Sequence, residues 1–219
     1  VRSGMFRCYS VIDERSAGFI ALGMALQSGE SVILVCTSGS AVVNFYPAIT
    51  EAYYLRVPLV VITADRPPEL IDKWDGQTIR QNGIFGSHVK ASFVTPDKYS
   101  EPEKFPNITL EAIHTGKSAL LGPVHINVPL REPLYPVEDY KFCYPEMKYL
   151  ESTENQILPA DILNFEKDEK VLILFGMSTE VQNIDLPGTP VLKDVLSNAG
   201  KGFGENIVTV ADQALRTAL

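Results

Sequence analysis

The sequence predicts a doubly wound α/β fold, a parallel sheet covered on both faces by helices, with a second, incomplete α/β domain behind it. Three observations carry this expectation. Short runs rich in Val, Ile and Thr alternate with segments of helical periodicity, which is the pattern of βαβ units. Three of these runs end in polar turns, as strands do at the carboxyl edge of an open parallel sheet where ligands bind. A Pro-rich, aperiodic stretch then separates this region from a further strongly apolar run.

The expected strands are residues 8–12, 31–36, 59–63, 92–95 and 124–128, each rich in Val, Ile or Thr. Between the first two, residues 13–27 place Ala17, Ile20, Ala21, Met24 and Ala25 on one helical stripe. Asp13 and Glu14 fall in its first turn, where carboxylates suit the helix dipole. A second helix is expected over 41–55, after the turn Thr37-Ser38-Gly39-Ser40, and a third near 109–121. From Pro129 to Glu154, Pro133, Pro136 and Pro145 punctuate a stretch without sustained period. The expected organisation is therefore a first domain over 1–135, a linker over 136–154 and a partial second domain over 155–219. In that second domain the apolar runs 170–177 and 190–195 are separated by little more than Pro187-Gly188 and its neighbours. A parallel crossover normally needs a dozen residues or more, so material is expected to be missing there.

Composition removes several classes of function. A net charge of −8 with no dense Lys/Arg run repels a phosphate backbone, so nucleic acid is not an expected partner. No apolar run approaches the ~20 residues of a membrane span, and no signal segment opens the chain. Cys8, Cys36 and Cys143 are far apart and form no CxxC pair, which suggests neither a disulfide framework nor a zinc site and fits a reducing cytoplasm. The chain starts at Val1 and enters an apolar stretch almost at once, so a preceding segment is expected.

Chemistry is expected at three polar turns. Asp13-Glu14-Arg15 joins a strand pattern to a helix, and its plain reading is charge complementing the dipole. Cys36-Thr37-Ser38-Gly39-Ser40-Ala41-Val42-Val43-Asn44 is a second strand-to-helix turn, in which Gly39 permits close backbone approach to a ligand. Thr63-Ala64-Asp65-Arg66-Pro67-Pro68-Glu69-Leu70 ends a strand in a stiff charged loop, where Asp65 and Arg66 could form a local ion pair. His125 alternates with Val124 and Ile126 inside a strand and reads as structural. His114 reads as a surface residue, and His88, after Phe85-Gly86-Ser87, is a weaker candidate for the site. The run Gly200-Lys201-Gly202-Phe203-Gly204 lacks the full dinucleotide fingerprint.

Taken together, Asp13-Glu14-Arg15-Ser16-Ala17-Gly18, Thr37-Ser38-Gly39-Ser40-Ala41 with Asn44-Phe45-Tyr46-Pro47-Ala48, Thr63 to Leu70, Gln77-Thr78-Ile79-Arg80-Gln81 and Gly122-Pro123-Val124-His125-Ile126-Asn127-Val128-Pro129 closely resemble the 2-succinyl-5-enolpyruvyl-6-hydroxy-3-cyclohexene-1-carboxylate synthases. These are thiamine-diphosphate-dependent enzymes of menaquinone biosynthesis. The match covers residues 6–135 well and the later region loosely. The resemblance implies a pyrimidine-binding domain and part of a central domain.

Glu14 matches the carboxyl group that activates the cofactor by sharing a proton with the aminopyrimidine ring, and partial desolvation would favour that role. Thr37, Ser38, Gly39 and Asn44 match positions beside the same ring. The implied reaction decarboxylates 2-oxoglutarate and adds the resulting carbanion to isochorismate. Both substrates are dianions, for which guanidinium groups are suited. Arg66 and Gln77 match positions on the substrate side, and Arg80 is a further candidate that could equally form a structural ion pair. A Ser-Arg substrate motif belongs upstream of Val1. The metal ligands, for Mg2+ or Mn2+, belong to a downstream domain, so no metal residue is assigned to this chain. The family places its cofactor between protomers, which implies a homodimer or homotetramer and an inert fragment. Another thiamine-diphosphate enzyme, acetolactate-synthase-like or an oxo-acid decarboxylase, would share Glu14 and the 37–44 turn but not Ala64 to Leu70. A non-catalytic α/β interaction module would keep the fold without needing Glu14.

Overall fold

The structure, a computed structural model, describes residues 4–97, 104–118, 120–132 and 134, and the strand segments 173–175, 191–193 and 207–208. In chain order the first unit runs α1 (Glu14–Ser28), β1 (Ile33–Cys36), α2 (Ser40–Asn44), α3 (Tyr46–Tyr54), β2 (Val60–Asp65), β3 (Ser92–Val94), α4 (Lys104–Lys117) and β4 (Val124–Pro129). Two short 3-10 turns, Pro68–Leu70 and Gly86–His88, interrupt the long connection from β2 to β3. The sheet has the order β1-β2-β4-β3, and every pair in it is parallel. One register row passes through Cys36, Thr63, Asn127 and Val94, which places a polar line across the sheet near its carboxyl edge.

Alternation along the strands divides the core into two. Leu34, Leu59 and Val61 pack with Ala21, Leu22, Ala25, Phe45, Ile49, Ala52 and Phe85 on the α1–α3 face. Val60, Val124 and Ile126 pack with Ala112, Ile108 and Ile113 of α4 on the other. Helices therefore cover both faces, as a buried parallel sheet requires. Each large side chain fully buried there contributes roughly 1.5–3 kcal/mol.

Capping explains where α1 begins and ends. Asp13 is its N-cap and accepts from the Ser16 N–H at 2.7 Å, a bond that holds its carboxyl below the usual range. Gly29 closes the helix in the left-handed region at φ 72°, its N–H bonding to the Ala25 carbonyl. The buried stripe is Gly18, Ala21, Leu22 and Ala25, one step round from the expected one, and Ile20 and Met24 stay largely exposed. The reason is close helix packing. A Cβ on Gly18 would lie 2.9 Å from that of Ala48 on α3, so the face of smallest residues turns inward.

Three further expectations are corrected. Residues 8–12 form no strand: they have no place in either ladder, residues 4–10 are exposed and Ile12 is 99 % exposed. A β-branched run without a hydrogen-bonding neighbour has nothing to define it as a strand. The helix expected over 41–55 is two helices that break at Phe45, because Pro47 has no N–H to donate to the Val43 carbonyl. The third helix starts earlier than residue 109 and ends at Lys117. There the Lys90 ammonium donates to the carbonyls of Thr115 and Ser118 and so satisfies its C-terminal end.

The chain divides into two compact units, Val1–Asn155 and Gln156–Leu219. In the second, β5 (Ile173–Phe175), β6 (Val191–Lys193) and β7 (Ile207–Val208) form a parallel sheet in that order. β7 was not expected from the sequence. The linker expected over 136–154 and the run Gly200 to Gly204 lie outside the described residues, as does Cys143. Among the described residues no helix is long and apolar enough to cross a membrane.

Candidate cofactor and substrate site

Glu14 is the first residue of α1 and half-buried. Its carboxylate reaches the end of β1 electrostatically: burial first, and then the Glu14 charge, push the Cys36 thiol up to about 12. Cys36 leads straight into Thr37, Ser38 and Gly39, of which Thr37 is exposed and the other two are buried. The structure thus brings Glu14 and this turn to one edge of the sheet. Asn44 lies at the end of α2, exposed, where its side-chain amide donates back to the Ser40 carbonyl at 3.0 Å.

Gly39 has φ 82° and ψ −145°, a conformation that L side chains rarely adopt. A Cβ there would stand 3.2 Å from the backbone of Gln77, so the turn and the segment bearing Gln77 lie directly against each other. Gln77 itself is exposed and left-handed at φ 56°. Asp72 and Trp74 in the same loop are left-handed too, and Trp74 is wholly exposed. Arg66 is about a quarter exposed; its Nε lies 3.6 Å from Asp75 and donates to the Gly76 carbonyl at 3.3 Å. Arg80 stands apart at 83 % exposure, its Nε donating to both oxygens of Asp72 at 3.0 and 3.3 Å. The local ion pair that Asp65 and Arg66 could have formed is absent. Asp65 is buried and accepts the Arg66 backbone N–H and the Asn127 amide, and the Arg66 guanidinium turns to the loop instead.

Beneath the edge lies a buried polar network, centred on Gln81, that no periodicity in the sequence announces. Gln81 is fully buried. Its Oε1 accepts from the Gly39 N–H at 3.1 Å, and the two N–H groups of its Nε2 are shared among the Ala64 carbonyl at 2.7 Å, Asn127 Oδ1 at 2.8 Å and Thr63 Oγ1 at 3.1 Å. Thr63 Oγ1 gives its one proton to Asn127 Oδ1. It must therefore accept from His125 Nε2, 2.8 Å away, which leaves Nδ1 to accept from Ser92, 3.1 Å away. Burial pushes the His125 pKa down to about 4, in keeping with this neutral tautomer and with its structural reading.

The remaining histidines are placed as follows. His114 is exposed in the last turn of α4. His88 packs among Tyr46, Tyr53 and Tyr54, with Nδ1 2.9 Å from the Tyr46 hydroxyl. Arg131, also unforeseen, bridges Glu69 in the loop after β2 and Asp97 beyond β3, and the two carboxylates hold its guanidinium firmly protonated. Among the described residues no three His, Cys, Asp or Glu side chains gather closely enough to hold a metal ion.

Residues 2–84 match the family described as Thiamine pyrophosphate enzyme, N-terminal TPP binding domain. The chain is 53% identical over 136 residues to a 2-succinyl-5-enolpyruvyl-6-hydroxy-3-cyclohexene-1-carboxylate synthase of Cytophaga hutchinsonii, covering 60% of this chain and 24% of that protein. Against the synthase of the same name from Flavobacterium johnsoniae it is 43% identical over 187 residues, 82% of this chain and 33% of the relative. For that of Lysinibacillus sphaericus the identity is 45% over 157 residues, 70% of this chain and 27% of the relative. The chain thus spans between a quarter and a third of the length of these curated relatives. On these matches and on its parallel α/β sheet, the chain belongs to the 2-succinyl-5-enolpyruvyl-6-hydroxy-3-cyclohexene-1-carboxylate synthase family of thiamine pyrophosphate enzymes and carries their N-terminal domain.

Proposed function

We propose that this chain is the pyrimidine-binding part of an enzyme that decarboxylates 2-oxoglutarate and joins the remaining four-carbon unit to isochorismate, as the name of its relatives describes for the product. The observation that carries the reading is the meeting of Glu14 with the β1 end. The half-buried Glu14 carboxylate is close enough to the end of β1 for its charge to raise the Cys36 thiol in addition to burial, and Cys36 leads into a turn whose glycine allows close backbone approach. This donor set fits thiamine diphosphate, which needs one carboxyl group opposite its pyrimidine nitrogen and a slim turn beside the ring.

When bound, the cofactor would supply a nucleophilic carbon for the keto group of 2-oxoglutarate and a sink for the electron pair released with carbon dioxide. Glu14 holds and returns the proton at the ring nitrogen. Ser38, Gly39 and Thr37 orient the ring, with Asn44 at the far end of the short helix that follows the turn. Arg66 and Gln77 bind carboxylate oxygens of the substrates, a role suited to a guanidinium, and Arg80 joins them once a dianion competes with Asp72. Mg2+ or Mn2+ would bind with residues outside this chain. A cytoplasmic homodimer or homotetramer, with the cofactor between protomers, completes the reading. In it, 1–135 is the pyrimidine domain, 136–154 the linker and 155–219 part of the central domain.

The test uses the full-length protein with thiamine diphosphate and Mg2+, following 2-oxoglutarate consumption with and without isochorismate. Isochorismate-dependent turnover that falls by about 10²-fold or more in Glu14→Gln, the scale of a lost general acid–base group, is expected. A folded wild type without such turnover would refute the substrate assignment, and an undiminished variant would refute the role of Glu14.

A further inference from the structure

We propose that Gln81 is a positioning residue that couples the cofactor turn to the substrate loop, a role that rests on the cofactor reading above. No other side chain described here joins so many parts of the edge. Its acceptor holds the Gly39 N–H, and its donors reach β2 at Thr63 and Ala64 and β4 at Asn127, all from a fully buried position. A glutamine has one acceptor oxygen and two N–H donors; the oxygen holds Gly39 and the two N–H groups are shared among three acceptors inside the protein, and with Gln81 fully buried it does not touch a ligand. It acts through Gly39 and through its own chain position.

The geometry gives this coupling its direction. Gly39 has a left-handed φ that glycine adopts freely, so its own backbone does not fix the turn and its contacts must. Its N–H is buried, and without Gln81 it would lose its partner. The chain that runs from Gln77 to Gln81 passes over the turn, with the Gln77 backbone against Gly39. Gln77 is itself left-handed. Anchoring Gln81 to β2 and β4 therefore fixes both the shape of the turn and the place at which Gln77 leaves the sheet edge. The far end of the network, His125 with Ser92, stabilises the same core and touches neither the turn nor the loop.

That difference separates positioning from general stability. In the full-length apoenzyme, thiamine diphosphate binding is titrated directly by calorimetry, with Mg2+ present, for the wild type, Gln81→Met and Ser92→Ala, with a melting curve for each. Methionine has nearly the length and volume of glutamine and forms none of its hydrogen bonds. The expected result is a dissociation constant raised roughly tenfold or more in Gln81→Met, the scale of one lost buried hydrogen bond, against no change beyond about twofold in Ser92→Ala even where its melting temperature falls. An unchanged constant in folded Gln81→Met, or an equal rise in both variants, overturns the proposal. If Gln81→Met does not fold, amide hydrogen exchange of the wild type decides. Protection of the Gly39 N–H well above that of the exposed loop supports the role, and exchange at the loop's rate overturns it. A wild type that binds no thiamine diphosphate defeats the cofactor reading instead, and the Gly39 exchange rate still reports whether Gln81 holds the turn.

Discussion

Cys36 makes the environment of Glu14 measurable. Its thiol is held neutral first by burial and then by the Glu14 carboxylate, with a pKa near 12, so the thiolate that reacts with alkylating agents is scarce. Cys8 is exposed. Alkylation at pH 8, read by mass spectrometry, should therefore modify Cys8 first and Cys36 slowly. Glu14→Gln removes the repelling charge and should speed the Cys36 reaction severalfold, while burial keeps it slower than Cys8. An unaltered Cys36 rate would mean that Glu14 does not face the end of β1. Glu14 was legible in the sequence through the family resemblance and its place in the first turn of an amphipathic run, and not through residues 8–12, which form no strand. The partners of Arg66 and Arg80 were not, since Asp72 and Asp75 are brought to them by a loop with three left-handed residues whose path no periodicity announces.

At the scale of elements, the approach of α1 to α3 sets where Glu14 sits, since Glu14 opens α1. That approach depends on Gly18, where even a methyl group would meet Ala48 at 2.9 Å. Gly18→Val should push the helices apart and destabilise the domain by about 1–3 kcal/mol, the usual cost of overpacking, seen as a lower urea midpoint. A variant as stable as the wild type would show that the contact can relax freely. The helix itself was readable from its capping residues and apolar spacing. Which side of it faces inward was not, because Ile20 and Met24 score as core residues by hydrophobicity, and only the closeness of α3 favours the smaller stripe.

At the scale of the molecule, the polar network makes the fold sensitive to mild acid. His125 is neutral in the folded state with a pKa near 4, whereas in the unfolded chain it titrates near 6.5. The unfolded state binds the extra proton between these values, so stability is complete above about pH 6.5 and is lost as pH falls toward 4. The full effect is roughly 3 kcal/mol, at about 1.4 kcal/mol for each pH unit of difference. Asp13, whose pKa is lowered, loses its contribution only below the ordinary carboxylate range, so the two windows are separate. Urea midpoints between pH 7 and 4.5 should fall in the wild type and fall less steeply in His125→Gln. Parallel slopes would show that His125 is not the group responsible.

The sequence by itself determined the α/β class, the order of strands and helices from residue 13 to 129 save for the break at Phe45, and the turns that follow β1 and β2. These follow from local matters: side-chain period, caps, the backbone freedom of glycine and the rigidity of proline. It also carried the family resemblance, through motifs that lie on those turns. Tertiary structure alone decided that residues 8–12 form no strand, that α1 buries its small face, and that Asp65 turns inward while Arg66 turns to the loop. It alone joined Gln81 to Gly39, Thr63 and Asn127, residues brought together only by the pairing of parallel strands and the return of a long loop. Hydrogen bonds between residues so distant in the chain leave no periodic trace in it, because each partner is chosen by the fold and not by its neighbours.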